Sequence, residues 1–326
     1  MSAIATAPSK VILTGEHFVV YGEPAVVMAV DRLAHVTVEE APDDAITIYS
    51  NLGLAGKFKS KKFTPLMGGL DAEKVLKPIY IAAASVLSVL GKRQGLNINV
   101  DSQIPMSVGL GSSGAVAVAT VAAVGKLFNA NFSKEEISKL PYEAEKYIHI
   151  KPSGIDQTIC TYGGVIVYSK DKGISRLTVK TEVPLVIGNT GVQRITGNLV
   201  SAVSARRNAF PRIMNKIIKS GGYISIEATE ALKNGDLKKL GELMNINHGL
   251  LSAIGVSTEL LDKLVNAAKS ANALGAKLTG AGGGGCMIAL SAPGNEDAIA
   301  YAIEKAGGSS LKAKKVDEGV KAWIKK

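Results

Sequence analysis

The sequence predicts an α+β fold in two parts, and three observations carry that expectation. Strand-like and helix-like segments come in blocks, without the one-by-one alternation of a parallel βαβ sheet. The chain has 326 residues, enough for one large domain or two ordinary ones with an ample core. A charged turn at 170–173 separates a strand-rich first half from a helix-rich second half, which places domains at 1–175 and 176–326.

In the first part, residues 10–14 are apolar and β-prone until Gly15 breaks the run. Segments 26–30 and 35–39 follow, the second alternating as a half-buried strand does. The stretch 51–70 is rich in Gly and Lys and reads as a loop. Residues 73–90 have helical spacing, with Pro78 acceptable only near the start or at a kink. Residues 96–100 alternate as a strand, and the small residues of 113–128 predict a closely packed helix. Ser133 and Glu136 form a capping box whose helix runs into Pro141. A helix at 142–150 ends at Pro152 and Gly154, and 164–168 is a strand.

In the second part, 183–188 is a strand, followed by helices at 197–219, 223–234, 236–247 and 257–272. Next come 276–279, the glycine run 280–285 and the strand 286–290. The chain closes with a helix at 295–306, a strand at 311–316 and a short helix at Trp323.

Composition narrows the function. Apolar residues make up 46% and charged residues 20%, an ordinary globular mixture. The richest apolar runs, 79–90 and 115–124, are too short to span a bilayer. Residues 1–13 lack a signal-peptide pattern, so a cytoplasmic protein with no membrane partner is expected. Cys160 and Cys286 lie in apolar surroundings and read as reduced core thiols. The net charge of +10 comes from scattered basic residues, and only 5% of residues are aromatic, so no nucleic-acid partner is expected. The four histidines, 17, 35, 149 and 248, show no zinc spacing.

Four motifs carry chemistry. The first is Pro105-Met-Ser-Val-Gly-Leu-Gly-Ser-Ser-Gly114, between a strand and a helix. Its glycines let backbone approach a ligand, and the first amides of the helix make an anion site. The hydroxyls of Ser112 and Ser113 suit a phosphate oxygen or a magnesium ion. A plain serine-capped turn is the alternative. Gly109, Gly111 and Gly114 also satisfy G-x-G-x-x-G, but no acidic residue ends a second parallel strand about twenty positions on, as a dinucleotide site requires. The second motif, Leu278-Thr-Gly-Ala-Gly-Gly-Gly-Gly-Cys286, suggests backbone pressed against a ligand or against the first loop; a flexible hairpin is the alternative. The third spans 7–22 and places Lys10, Glu16 and His17 around a glycine break. The fourth spans 143–157, with Glu145 and His149 on one helix face and Asp156 beyond the Pro/Gly break.

Taken in order, A-P-x-K, P-x-x-x-G-L-G-S-S and L-T-G-A-G-G-G-G-C resemble the GHMP kinases over most of the chain. Within that superfamily the pattern is most similar to the mevalonate kinases, through 10–22, 145–156, 189–200 and 244–256. Ser9, Gly114, Ile150 and Gln157 stand where that family has glycine, alanine, glycine and asparagine. The resemblance implies an N-terminal ribosomal-protein-S5-like domain, a ferredoxin-like C-terminal domain and a site between them. It implies transfer of the γ-phosphate of ATP to the 5-hydroxyl of mevalonate, with Mg²⁺ as cofactor and a homodimer at family level. Lys10 and Asp156 would flank the acceptor hydroxyl. Pro105, Gly109, Leu110, Gly111, Ser112, Ser113 and Gly114 would hold ATP, with Ser112 or Ser113 and Glu145 on the metal. Glu16, His17, Thr196, Gly280 and Ala281 would face the substrate. The competing readings are a related kinase acting on phosphomevalonate, homoserine or the 3-hydroxyl of mevalonate, and a non-catalytic sensor on the same fold. Retention of Lys10, Glu145 and Asp156 together speaks against the sensor.

Overall fold

The computed structural model describes residues 1–105, 109–148, 154–192 and 196–325. Strands β1 (Ser2–Thr14) and β2 (Ala25–Ala41) form a long antiparallel pair joined through a 3₁₀ turn, Phe18–Tyr21. Segments 26–30 and 35–39 are therefore one strand. The polar residues between them interrupt the apolar pattern, but the backbone keeps pairing with β1 across a register shift at Pro8/Ser9.

Strands β3 (Ile46–Ser50), β4 (Leu54–Lys59) and β5 (Lys62–Met67) come next. The stretch 51–70 expected to be a loop is largely the β4–β5 hairpin. Gly56 is a seat rather than a breaker, because a Cβ there would lie 2.2 Å from the Phe63 ring. Helix α1 (Ala72–Val89) keeps Pro78 in its second turn, and β6 (Gly95–Ser102) follows. Helices α2 (Ser112–Leu127), α3 (Lys134–Lys139), α4 (Tyr142–Ile148) and α5 (Ile155–Tyr162) come before β7 (Val165–Ser169) and β8 (Gly173–Leu177). The capping box is present: Ser133 Oγ accepts from Glu136 N–H at 3.2 Å, and Glu136 Oε2 accepts from Ser133 N–H at 2.8 Å.

The second block is β9 (Pro184–Asn189), α6 (Thr196–Ala209), α7 (Pro211–Asn234), α8 (Leu237–Ala253), α9 (Glu259–Ser270), β10 (Gly275–Leu278), β11 (Cys286–Leu290), α10 (Glu296–Lys305), β12 (Ser309–Lys314) and β13 (Lys321–Lys325). The helix break falls at Phe210, not at 220–222. Pro211 takes the first helical position, where its missing N–H costs nothing. Gly221 and Gly222 stay helical and form a notch; a Cβ on Gly221 would lie 2.1 Å from the Phe18 ring. Trp323 is not helical. It lies in β13 opposite Ile4 of β1, a long-range pairing that overrides local preference.

Two sheets organise these elements. The first runs β13-β1-β2-β6-β3-β4-β5, with β7 attached to β2 and β8 to β7. Among the described residues only β3 and β6 pair in parallel. The second is the antiparallel sheet β10-β11-β9-β12, wound β-α-β-β-α-β in the ferredoxin-like manner. β8 spans the expected boundary at 175/176 and pairs with β7, while β13 returns from the C-terminus to β1.

Helix α2 is buried on nearly every side, from Gly114 to Gly125. A helix buried all round belongs inside a protein, and its small Ala, Val and Gly residues let it lie close to β1 and β2. That burial aims its N-terminus at the edge of β1. Among the described residues no helix is long and apolar enough to cross a membrane.

Candidate active site

Strand β13 covers only residues 2–6 of the outer edge of β1. Beyond it, Lys10 N–H donates to Leu110 O at 3.0 Å, and Ile12 N–H donates to Thr279 Oγ1 at 3.0 Å. A strand edge must satisfy its backbone groups, and here two glycine-rich loops do so. The edge of β1 therefore brings together motifs about 170 residues apart in sequence.

Lys10 Nζ lies 3.2 Å from Asp156 Oδ1, with the lysine side chain 8% exposed and the aspartate 23%. Asp156 sits in the first turn of α5, an element the sequence analysis did not anticipate. Gly111 faces this pair. It caps α2 at φ +73°, a region that favours glycine, and a Cβ there would lie 2.8 Å from Lys10 Cγ and 3.6 Å from Asp156 Oδ2. Gly114 stands where the resembling family has alanine, and a Cβ would lie 3.0 Å from Asp156 Cβ. The shorter residue lets α5 approach α2. Pro105, Gly109 and Leu110 belong to the same strand-to-helix connection, and Leu110 is buried. Positions 106–108 and 149–153, including His149, lie outside the described residues.

A crevice beside this pair is lined by Ser113, Gly114, Glu145, Asp156 and Gln157. Burial pushes the Glu145 carboxyl up to about 7, against the pull of an amide hydrogen bond from Gln157. Ser113 shares the crevice with Glu145, whereas Ser112 does not line it. Among the described residues no three His, Cys, Asp or Glu side chains form a metal cage. A cation here would depend on ligand oxygens brought by a phosphate. Cys160 and Cys286 are buried, and burial holds the Cys160 thiol well above its usual range.

The third motif meets the second glycine run across the two blocks. Glu16 pairs with Lys277, both buried, at 1% and 0% exposure. Its second oxygen accepts from Asn247 Nδ2 at 3.2 Å. The Lys277 ammonium also donates to Leu278 O at 2.6 Å, and burial lowers its pKa despite Glu16. His17 Nε2 donates to Ala281 O at 2.8 Å, and Gly280 precedes that contact. Gly282 is pressed against its own block, since a Cβ there would lie 2.1 Å from Val256 O. The run is a packed latch, not a flexible hairpin. Thr196 opens α6, but its side chain lies outside the described residues.

Sequence reasoning missed Lys277, Asn247 and Gln157. A signal did exist for Lys277, a lone charge in the four-residue buried strand β10. Lys277→Met is expected to destabilise the fold by about 3–5 kcal/mol, the scale for stranding a buried charge. Adding Glu16→Gln should recover much of that loss. Urea denaturation of the single and double variants checks this, and a single-variant loss below about 1 kcal/mol would mean the pair is not formed.

Comparison with known proteins gives concordant results. The chain matches the GHMP kinases N terminal domain over residues 77–164 and the GHMP kinases C terminal domain over residues 228–309. It is 42% identical to the mevalonate kinase of Pyrococcus abyssi, over 98% of this chain and 97% of that one. It superposes on the L. major mevalonate kinase solved in complex with R-mevalonate with a TM-score of 0.84, at 29% identity and covering 96% of each chain. The Methanococcus jannaschii mevalonate kinase gives a TM-score of 0.82 at 30% identity, covering 96% of this chain and 98% of that one.

Proposed function

This chain belongs to the mevalonate kinase family of the GHMP kinases, and from that premise we infer that it transfers the γ-phosphate of ATP to the 5-hydroxyl of mevalonate, giving 5-phosphomevalonate and ADP. The observation that carries this reading is the Lys10–Asp156 pair at 3.2 Å, set against the glycine turn that opens α2. Phosphoryl transfer asks for alignment and charge neutralisation more than covalent help. Asp156 Oδ1 is engaged by Lys10. Oδ2 then orients the acceptor hydroxyl and takes its proton as the oxygen attacks phosphorus. The Lys10 ammonium offsets charge spreading over the transferred oxygens. The amides that open α2 and the 105–114 connection hold the triphosphate. Glu16, His17, Thr196, Gly280 and Ala281 form the acceptor side. Glu16 acts there through the loop it anchors, because both of its oxygens are occupied.

The residues of the crevice fit a magnesium ion. They offer the hard oxygens of Ser113 and Glu145, and a buried amide oxygen of Gln157 that has no partner among the described residues. Ser112 or Ser113, with Glu145, would hold the ion. Bound there, it would neutralise charge on the β- and γ-phosphates. Glu145→Gln keeps the shape and removes a ligand charge. It should lower kcat/KM for Mg-ATP at limiting Mg²⁺ by about 10² or more, at least the scale seen on removing outer-shell partners of a metal, while the unfolding midpoint barely moves. Unchanged activity at limiting Mg²⁺ would take Glu145 out of the metal site. A coupled ADP-release assay over small alcohols tests the reaction itself. Mevalonate should be the preferred acceptor; turnover of phosphomevalonate or homoserine without mevalonate would overturn the assignment.

A further inference from the structure

Gln157 follows Asp156 in α5 and is 1% exposed. Its amide nitrogen donates to Glu145 Oε2. Its carbonyl oxygen is buried and, among the described residues, has no hydrogen-bond partner. Gln157 lines the crevice together with Ser113 and Glu145. A buried amide oxygen without a donor costs about 1–3 kcal/mol, whereas a methionine would fill the same space without that penalty. Packing alone therefore does not account for a glutamine.

The two ends have different chemistry. The nitrogen end holds the Glu145 carboxylate in one orientation. The oxygen end can only accept, so it suits a hydrogen-bond donor and repels a phosphate oxygen. Magnesium keeps several waters when it binds through one or two protein ligands and phosphates, and each such water is a donor. Partners that orient a ligand in this way are worth roughly 10–100-fold in metal affinity.

We propose that Gln157 is a positioning residue of the metal site: its nitrogen aligns Glu145, and its oxygen receives a hydrogen bond from a water of the ion's shell. This rests on the reading of Glu145 as the metal ligand. Gln157→Met keeps the volume and removes both polar ends. The measurement is Mn²⁺ affinity of the ATP-bound protein without acceptor, by titration followed by electron paramagnetic resonance. A loss of roughly 10–100-fold is expected, with metal-free ATP affinity unchanged and the unfolding midpoint equal or higher. Should the Met variant not fold, Gln157→Leu, which also lacks both polar ends, should show the same loss. Wild-type Mn²⁺ affinity in a folded variant, with or without a lowered midpoint, overturns the proposal. Glu145→Gln separates the two readings. If it weakens Mn²⁺ binding and Gln157→Met does not, only the role of Gln157 falls; if neither does, the assignment of Glu145 falls as well.

Discussion

An Asp156→Asn enzyme should turn over slower by about 10² or more, the scale for losing a positioned acid–base group. Asparagine keeps the volume and a hydrogen bond to Lys10, so the neighbourhood of Gly111 and Gly114 stays filled as before. What it removes is the carboxylate proposed to take the acceptor proton. ATP affinity should be nearly unchanged, because the 105–114 connection, Ser113 and Glu145 lie on other elements. Lys10→Met should also lower kcat. The two losses should not add, because the side chains touch and act as a unit. Steady-state kinetics with mevalonate, together with nucleotide affinity for each single and the double variant, decides the matter. Near-normal kcat in Asp156→Asn would sink the mechanism. A selective loss of ATP affinity would move Asp156 to the metal.

Gly111→Val should abolish both measurable nucleotide affinity and turnover. Two effects coincide at this position. A β-branched residue at φ +73° is strained, by roughly 1–2 kcal/mol for the left-handed region. Its Cβ would also lie 2.8 Å from Lys10 Cγ and 3.1 Å from Lys10 Cε. The side chain therefore displaces the lysine as well as blocking the close approach of a phosphate. Calorimetric ATP titration of the folded variant is the check, and wild-type affinity would refute the phosphate-loop assignment. Gly111→Ala should show the same loss to a lesser degree, since alanine lacks the branch but carries the same Cβ.

Much of the site was legible because its signals are local. The glycine turn, the serine pair and the small-residue helix α2 lie within one stretch, and their spacing suggests an anion site, with a plain serine-capped turn as the alternative. The N-terminal lysine and the late glycine run were visible as motifs, but nothing local says that both sit on one strand edge. The Glu16–Lys277 pair joins residues 261 positions apart, and no periodicity reports such a contact. Asp156 was legible as a candidate, whereas Gln157 registered only as a departure from a family pattern; its proposed role depends on where α5 meets Glu145. In the fold, the errors share one cause. Gly56, Gly221 and Gly222 look like breakers in sequence but serve as seats for Phe63, Phe18 and Glu23. Trp323 looks helical until the partner strand, three hundred residues earlier, is known.

The pairing of β13 with β1 ties the first strand of the chain to the last. A ribosome delivers β1 long before β13. Domains that fold as they emerge can seal their sheets early, but this sheet cannot. Until residues 321–325 arrive, backbone groups along residues 2–6 face outward, a template for strands from other nascent chains. The interval of exposure is set by the synthesis time of the whole second half. Deleting residues 321–325 would make it permanent, even though every residue of the 105–114 connection would still be present.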